Sequence, residues 1–305
     1  MDRPGPDWTR RRLQVVLIGG LLCSLLLLAG GAYAVVDLLG GEDRSEAPSD
    51  TTRSGGSAAG SDSAAARDEI AEAPMPSVPP SAALPGTLSA EAVGVLTLPP
   101  PAGVGAAGVP TGFPQTAEGA LAQLAAINRS ALEGTSLRHA QDIIGAWAEP
   151  GGPDASSWSG VAAVATLLAA AEAPAEGTST VQVEFAPSMG LIKGALDGYD
   201  NPLPGGTGDV PAFVVPCVVH VLTVTTRVGV DRTAVADCQR MTWVEDDPGR
   251  GRWVIDAGAE PAPAPSTWPG TAASIDAGYL WLDQLALRLG DGGAGVGVPD
   301  VEVGP

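Results

Sequence analysis

The chain has 305 residues, of which 35 are acidic and 16 basic, so its formal net charge is −19 at pH 7. This balance argues against a nucleic-acid-binding protein, because such a protein presents a basic surface to the phosphates. Glycine and proline, with 41 and 28 residues, together approach a quarter of the chain, which is close to the level at which unstructured segments are expected.

The N-terminal region predicts a membrane anchor. No charged residue occurs from Leu13 to Val36, and a helix of that length would measure about 36 Å, against a hydrocarbon core of about 30 Å. Three arginines stand immediately before this segment, and acidic residues follow it. The positive-inside rule therefore predicts a single transmembrane helix at 13–36 in the cell membrane, a cytoplasmic N-terminus at 1–12 and an extracytoplasmic remainder. A cleaved signal peptide is the alternative, because Ala-Tyr-Ala at 32–34 resembles a cleavage site.

Residues 37–112 have the composition of a disordered linker. From residue 41 to residue 112 there is no aromatic residue, and large aliphatic residues are almost missing before Leu84. Such a segment has little apolar surface to offset the entropy cost of ordering. Eleven of the 13 aromatic residues lie between Phe113 and Trp281, which places an extracytoplasmic domain at 113–289 and leaves 290–305 as a disordered acidic tail.

Three helices are predicted at the start of this domain. The first has Thr116 as its N-cap, an apolar stripe at helical spacing, and Gly134 at its end. The second runs from about 137 to 148 and the third from about 157 to 172. Five apolar side chains spaced by three or four residues predict another helix near the C-terminus, at about 272–289.

Between the third helix and the last one, the pattern is typical of strands. Residues 180–185 alternate between apolar and polar, and residues 212–226 are apolar on both faces, as in a central strand. Two further strands, at 232–244 and 252–256, are joined by the turn sequence DDPGR. Helices followed by a strongly bent antiparallel sheet predict an α+β fold.

Cys217 and Cys238 are candidates for a disulfide. If the turn between them is centred on Arg227 and Val228, the two cysteines face each other, and their Cβ atoms lie about 4.5–5.5 Å apart. An extracytoplasmic location favours the bond. A turn nearer Gly229 would separate the pair, and two reduced, buried cysteines are the alternative.

Three aromatic side chains, His220, Trp243 and Trp253, are candidates for lining a cavity. The two tryptophans are equidistant from Pro248 and so should face each other across a hairpin. Core packing explains such a pair more simply than the floor of a ligand pocket does. His220 interrupts an apolar strand, where a position in the core or at its rim is again the simpler interpretation.

The sequence contains no combination of residues typical of catalysis. The chain has only two histidines, no Gly-x-Ser-x-Gly segment, and no set of His, Cys and carboxylate residues at metal-binding spacing. The glycine-rich segment at 205–211 lacks the lysine of a phosphate-binding loop. The sequence therefore predicts a non-enzymatic protein with no metal and no cofactor.

The order of the predicted elements resembles the nuclear-transport-factor-2-like (cystatin-like) cone, in which three helices precede a meander that ends in a hairpin. The segment GFPQTAEGALAQLAAINR is similar to a motif of membrane-anchored actinobacterial proteins of unknown function. An anchor, a tether and an external cone also resemble the layout of the assembly factors of conjugative type IV secretion. The resemblance implies an interaction or assembly module whose partners are other envelope or secretion proteins. A sensor that binds a small molecule or lipid in the cavity of the cone is the alternative.

Overall fold

A computed structural model describes residues 58–176, 180–204, 210–227, 229–247 and 250–283. Within these ranges the chain forms five α-helices, a seven-stranded sheet and a two-stranded ribbon. No helix in the described ranges is long and apolar enough to cross a membrane. The anchor predicted at 13–36 and the tail predicted at 290–305 both lie outside the described residues.

The helices are α1 (Ala58–Glu72), α2 (Ala117–Glu133), α3 (Leu137–Trp147), α4 (Ser159–Ala170) and α5 (Ala272–Asp276). The strands are β1 (Val95–Thr97), β2 (Gly103–Val104), β3 (Pro110–Thr111), β4 (Gln182–Leu196), β5 (Phe213–Thr226), β6 (Gly229–Cys238), β7 (Met241–Asp247), β8 (Arg250–Ile255) and β9 (Leu280–Asp283). The sheet order is β1-β9-β4-β5-β7-β8, and β6 pairs with β5. Strands β1 and β9 run parallel, and the other pairs of this sheet run antiparallel.

Helix α2 is the central helix of the fold and begins where the sequence predicts. The Thr116 hydroxyl accepts a hydrogen bond from the Gly119 N–H at 3.0 Å, which satisfies one of the free amides of the first turn. The helix packs on β4 and β5 on one side and on α3 and α4 on the other, so most of its residues are buried. The three helices predicted at the start of the domain form at the predicted positions.

Strand β5 divides the interior and is buried on both faces from Phe213 to His220, as predicted for a central strand. One face contributes to the main apolar cluster, which fills the space between the sheet and helices α2, α3 and α4. The opposite face contributes to two smaller clusters, one around Met189 and Tyr279 and one beneath α1.

A close approach between α2 and the sheet at Gly190 gives the first testable prediction. A Cβ atom there would lie 3.0 Å from the Leu121 Cδ2 atom and 3.1 Å from the Cys217 carbonyl oxygen. We expect Gly190→Ala to lower the free energy of unfolding by about 1–2 kcal/mol, measured in urea, because the Leu121 side chain and the backbone of the neighbouring strand must both give way. The control is Gly198→Ala, whose Cβ meets no atom within 4 Å and should leave stability nearly unchanged. Equal stabilities of the two variants would contradict this packing.

The predicted fold class is wrong, because the sheet is mixed rather than antiparallel. Strand β1 comes from the segment predicted to be a linker and β9 from the segment predicted to be the last helix. These two strands form a parallel pair at the end of a seven-stranded sheet, and helix and strand contents are about equal. The chain therefore departs from three helices followed by a bent antiparallel sheet with a C-terminal helix.

The disordered linker predicted at 37–112 is wrong from residue 58 onward, and the folded unit begins well before Phe113. Ala71 at the end of α1 is buried, as are Leu98 and Val109 further along. The composition predicted disorder wrongly because this segment is stabilised by ion pairs and backbone contacts to distant residues, in addition to a few apolar side chains. Residues 37–57 lie outside the described ranges.

The helix predicted at 272–289 is wrong from residue 277 to residue 283, and residues 284–289 lie outside the described ranges. Gly278 has a φ of +86°, a conformation that other residues rarely adopt, and the chain turns there into β9. Tyr279 and Leu282, which lie at helical spacing, are buried in clusters on opposite faces of the sheet. Both side chains are therefore buried by a short strand and the residue before it, and not by a helix.

Candidate functional site

The structure confirms a disulfide between Cys217 and Cys238. Both residues are buried, and their Cα atoms are 4.1 Å apart. The β5–β6 pairing runs from Thr226 opposite Gly229 to the two cysteines opposite each other, so the turn lies where the sequence predicts. The bond closes the end of the hairpin that is farthest from its turn.

His220 is a core residue. Its ring is fully buried and lies parallel to the Phe185 ring, with the ring centroids 4.1 Å apart. Burial lowers the pKa of His220 to about 3, so the imidazole is neutral near pH 7. Neither ring nitrogen has a hydrogen bond of ordinary geometry to a described residue, although the backbone of Ala125 lies near enough to oppose that pKa shift.

The two tryptophans face each other across β7 and β8, as predicted. Their ring centroids are 5.4 Å apart, and the rings meet edge to face. Trp253 is buried, and its Nε1–H donates a hydrogen bond to the Pro114 carbonyl oxygen at 2.9 Å. Trp243 is partly buried against the main apolar cluster. His220 therefore packs on Phe185, whereas the two tryptophans pack on each other. The role of all three as cavity lining stays a prediction.

A polar cluster around Asp237 on β6 was not predicted from the sequence. Its Oδ2 atom accepts a hydrogen bond from the Asn128 side-chain amide at 2.9 Å, and its Oδ1 atom accepts one from the Gln239 amide at 3.1 Å. The same Gln239 nitrogen lies 3.4 Å from Glu260 Oε1, so it bridges two carboxylates. Glu260 also accepts a hydrogen bond from the backbone N–H of Ser159, the first residue of α4.

Asp237 holds a proton more tightly than an ordinary carboxyl group. Burial, and then the neighbouring carboxylate of Glu260, raise the pKa of Asp237 to about 7, although the hydrogen bonds from Asn128 and Gln239 oppose the shift. Burial and the charge of Asp237 also raise the pKa of Tyr279. The cluster can therefore take up and release a proton near neutral pH. The described part of the chain brings no three potential metal ligands together.

Asp237 is expected to make the fold less stable as the pH rises from about 4 to about 7. Its pKa is raised above the ordinary value of 3.8, so its stabilising contribution is complete below about pH 4 and is lost as pH rises through about 7. Because Asp237 is only partly buried, solvent screens part of this effect, and we expect a loss on the order of 1 kcal/mol between about pH 5 and pH 8 in urea unfolding. Asp237→Asn should remove this difference. An identical pH dependence in the variant would contradict the assignment.

A groove of about 500 Å³ lies beside β1. Residues 95–100 form one wall, and Thr116 and Glu118 at the start of α2 lie opposite. Val95 and Leu88 are both exposed near this edge of the sheet, at 61% and 63%. Sequence patterns could not reveal the groove because its two walls come from separate elements, one of which lies in the segment predicted to be a linker.

Comparisons of this chain with known proteins found no matching protein family, no similar curated protein and no similar solved structure.

Proposed function

We propose that this protein is an interaction or assembly module on the outer side of the cell membrane, anchored through its uncharged segment from Leu13 to Val36. The observation that carries the proposal is the disulfide between Cys217 and Cys238. Disulfides persist in oxidising compartments and are rare in the cytosol. The arginines that precede the uncharged segment favour the same orientation, with the N-terminus inside.

The positions of the unusual titratable groups support binding rather than catalysis. His220 is fully buried within β5, and the hydrogen-bond partners of Asp237 are the side-chain amides of Asn128 on α2 and of Gln239, which follows β6. The groove beside β1 instead offers apolar side chains and one carboxylate, Glu118. Such a surface suits a protein partner better than it suits a reaction.

The folded unit stays close to the proposed anchor. Twenty-two residue steps separate Val36 from Ala58 at the start of α1, and a fully extended chain of that length spans about 70 Å. The partners of the module are therefore the membrane and other envelope or secretion proteins within that reach. The specific candidate is an apparatus for conjugative transfer, which the layout of the chain resembles.

Site-specific crosslinking in intact cells tests this function. A photoreactive residue at the exposed position Leu88 should capture envelope or secretion proteins, and one at the buried position Leu121 should capture few or none. Capture of cytosolic proteins alone from position 88, or the same yield from both positions, would overturn the proposal.

A further inference from the structure

We propose that β1 is the docking edge for an extended segment of a partner protein in which basic and apolar side chains alternate. This inference rests on the proposed function, because it names the surface through which the module binds. The open backbone of β1, the exposed side chains beside it and the charges around it all favour such a partner.

Strand β1 presents unused backbone groups. It lies at the end of the sheet, and its only strand partner among the described residues is β9. The Gly94 carbonyl oxygen accepts a hydrogen bond from the Trp281 N–H at 3.1 Å, so Gly94 turns toward β9. Because successive residues of a strand turn to opposite edges, Leu96 also faces β9, and the N–H and C=O groups of Val95 and Thr97 point to the open side. An added strand binds through such groups.

An apolar surface borders one face of this edge. Val95 is the register partner of Trp281, and both lie on the face of the sheet opposite α2. Leu88 and the Trp281 ring each approach the position that a Cβ of Gly270 would occupy, at 3.1 and 2.6 Å, so these two side chains are neighbours. Apolar side chains on one face of a docked strand would cover Leu88 and Val95.

The other face of the edge is acidic. Glu118, in the first turn of α2, lies across the groove from β1. Side chains of a docked strand alternate between the two faces, so every second one points toward Glu118. A basic side chain at those positions is complementary to this carboxylate, which explains the alternation that we propose.

The charges of the surrounding segments favour a basic partner over a second copy of this chain. Residues 68–128 and 253–283, which include β1, β9 and the start of α2, contain no Lys, Arg or His. They do contain acidic residues near it, such as Glu91 and Glu118. Two copies joined edge to edge through β1 would bring these like charges together, which is unfavourable.

The docked segment is short. Strand β1 has three residues, and Pro99 and Pro100 follow it with no N–H groups to donate. We therefore expect a core of about three to five paired residues in the partner, with affinity gained from the flanking apolar and basic side chains.

The test measures binding of labelled peptides to the full chain in detergent micelles by fluorescence anisotropy. The probe alternates Lys and Val over seven residues, and the control peptide has the same composition with its lysines grouped together. We expect the alternating peptide to bind about tenfold more tightly than the grouped one. Val95→Pro and Thr97→Pro should each weaken binding of the alternating peptide about tenfold, because each removes an outward N–H and leaves Leu96 to pair with β9. Val95→Thr keeps the N–H and is the matched control.

A second measurement keeps the proposal testable if the proline variants unfold. In the wild-type chain, amide hydrogen exchange at Val95 and Thr97 should slow when the alternating peptide binds, and exchange at Leu96 should stay unchanged. Glu118→Gln should weaken binding of the alternating peptide severalfold without altering the far-ultraviolet spectrum.

Three results would overturn the proposal: equal binding of the two peptides, unchanged exchange at Val95 and Thr97, or a dimer of this chain that Val95→Pro abolishes. If these results appear while a crosslinker at Leu88 still captures envelope proteins, the proposed function stands and only this docking edge is wrong. If the peptide results hold while no envelope protein is captured, the docking edge stands and the proposed function is wrong.

Discussion

Replacing Cys217 and Cys238 together by alanine is expected to lower the free energy of unfolding by about 3 kcal/mol. The cysteines are separated by 21 positions, and opening a loop of that size frees the unfolded chain by roughly this amount. Both sulfur atoms lie in the apolar cluster around Met189 and Tyr279, so their loss also leaves a small void. Urea unfolding followed by tryptophan fluorescence measures the change.

Reduction of the wild-type chain provides the control for this prediction. Reductant should lower the stability of the wild type to about that of the double alanine variant, and it should not affect the variant further. Alanine is the suitable replacement because both positions are buried and a serine hydroxyl there would lack a partner. Equal stability of the oxidised and reduced wild type would show that the bond does not support the fold.

Arg67→Met is expected to release α1 from the sheet and to lower the free energy of unfolding by roughly 3 kcal/mol. The Arg67 guanidinium pairs with Asp200 at 2.9 Å and with Asp256 at 3.0 Å, and it lies over the Phe213 ring. The Asp256 side chain is only 10% exposed, so removal of Arg67 leaves a nearly buried carboxylate without this cation. These carboxylates also favour the charged guanidinium and raise the pKa of Arg67, in spite of its partial burial.

Amide exchange within α1 distinguishes release of the helix from general destabilisation. In Arg67→Met, exchange should accelerate in residues 66–72 well before it does in α2. The matched control is Arg138→Met, the same chemical change at an exposed position of α3, which should leave both stability and exchange nearly unchanged. Asp256→Asn in the Arg67→Met background should recover part of the loss, since a neutral amide does not need the cation. Uniform acceleration across α1 and α2 would contradict a local role.

The features that the sequence predicts correctly depend on local chemistry. Thr116 marks the start of α2 because its hydroxyl binds an amide three residues away, whatever the rest of the fold does. The partners Cys217 and Cys238 follow from counting outward from one turn, and Trp243 and Trp253 follow from the next. Because side chains in a strand alternate with a period of two residues, the position of the turn is enough to set such a register.

The features that the sequence misses depend on contacts between distant segments. Helix α1 docks through Asp200 and Asp256, which lie more than 130 positions from Arg67, so the composition of its own segment gives no sign that it folds. The pKa of Asp237 is raised by its enclosure and by Glu260, which comes from another part of the chain. The sequence gives one sign of this buried carboxyl group, which is that Asp237 directly precedes Cys238 in a predicted strand.

The location of the folded unit outside the cytoplasm is the central claim, and protease treatment of spheroplasts tests it most directly. A tag fused after Pro305 should be cut when protease is added to intact spheroplasts, while a cytoplasmic marker protein survives until lysis. A tag that stays protected in intact spheroplasts and is cut only after lysis would place the domain, with its cysteines, in the cytoplasm, and the proposed function would be wrong.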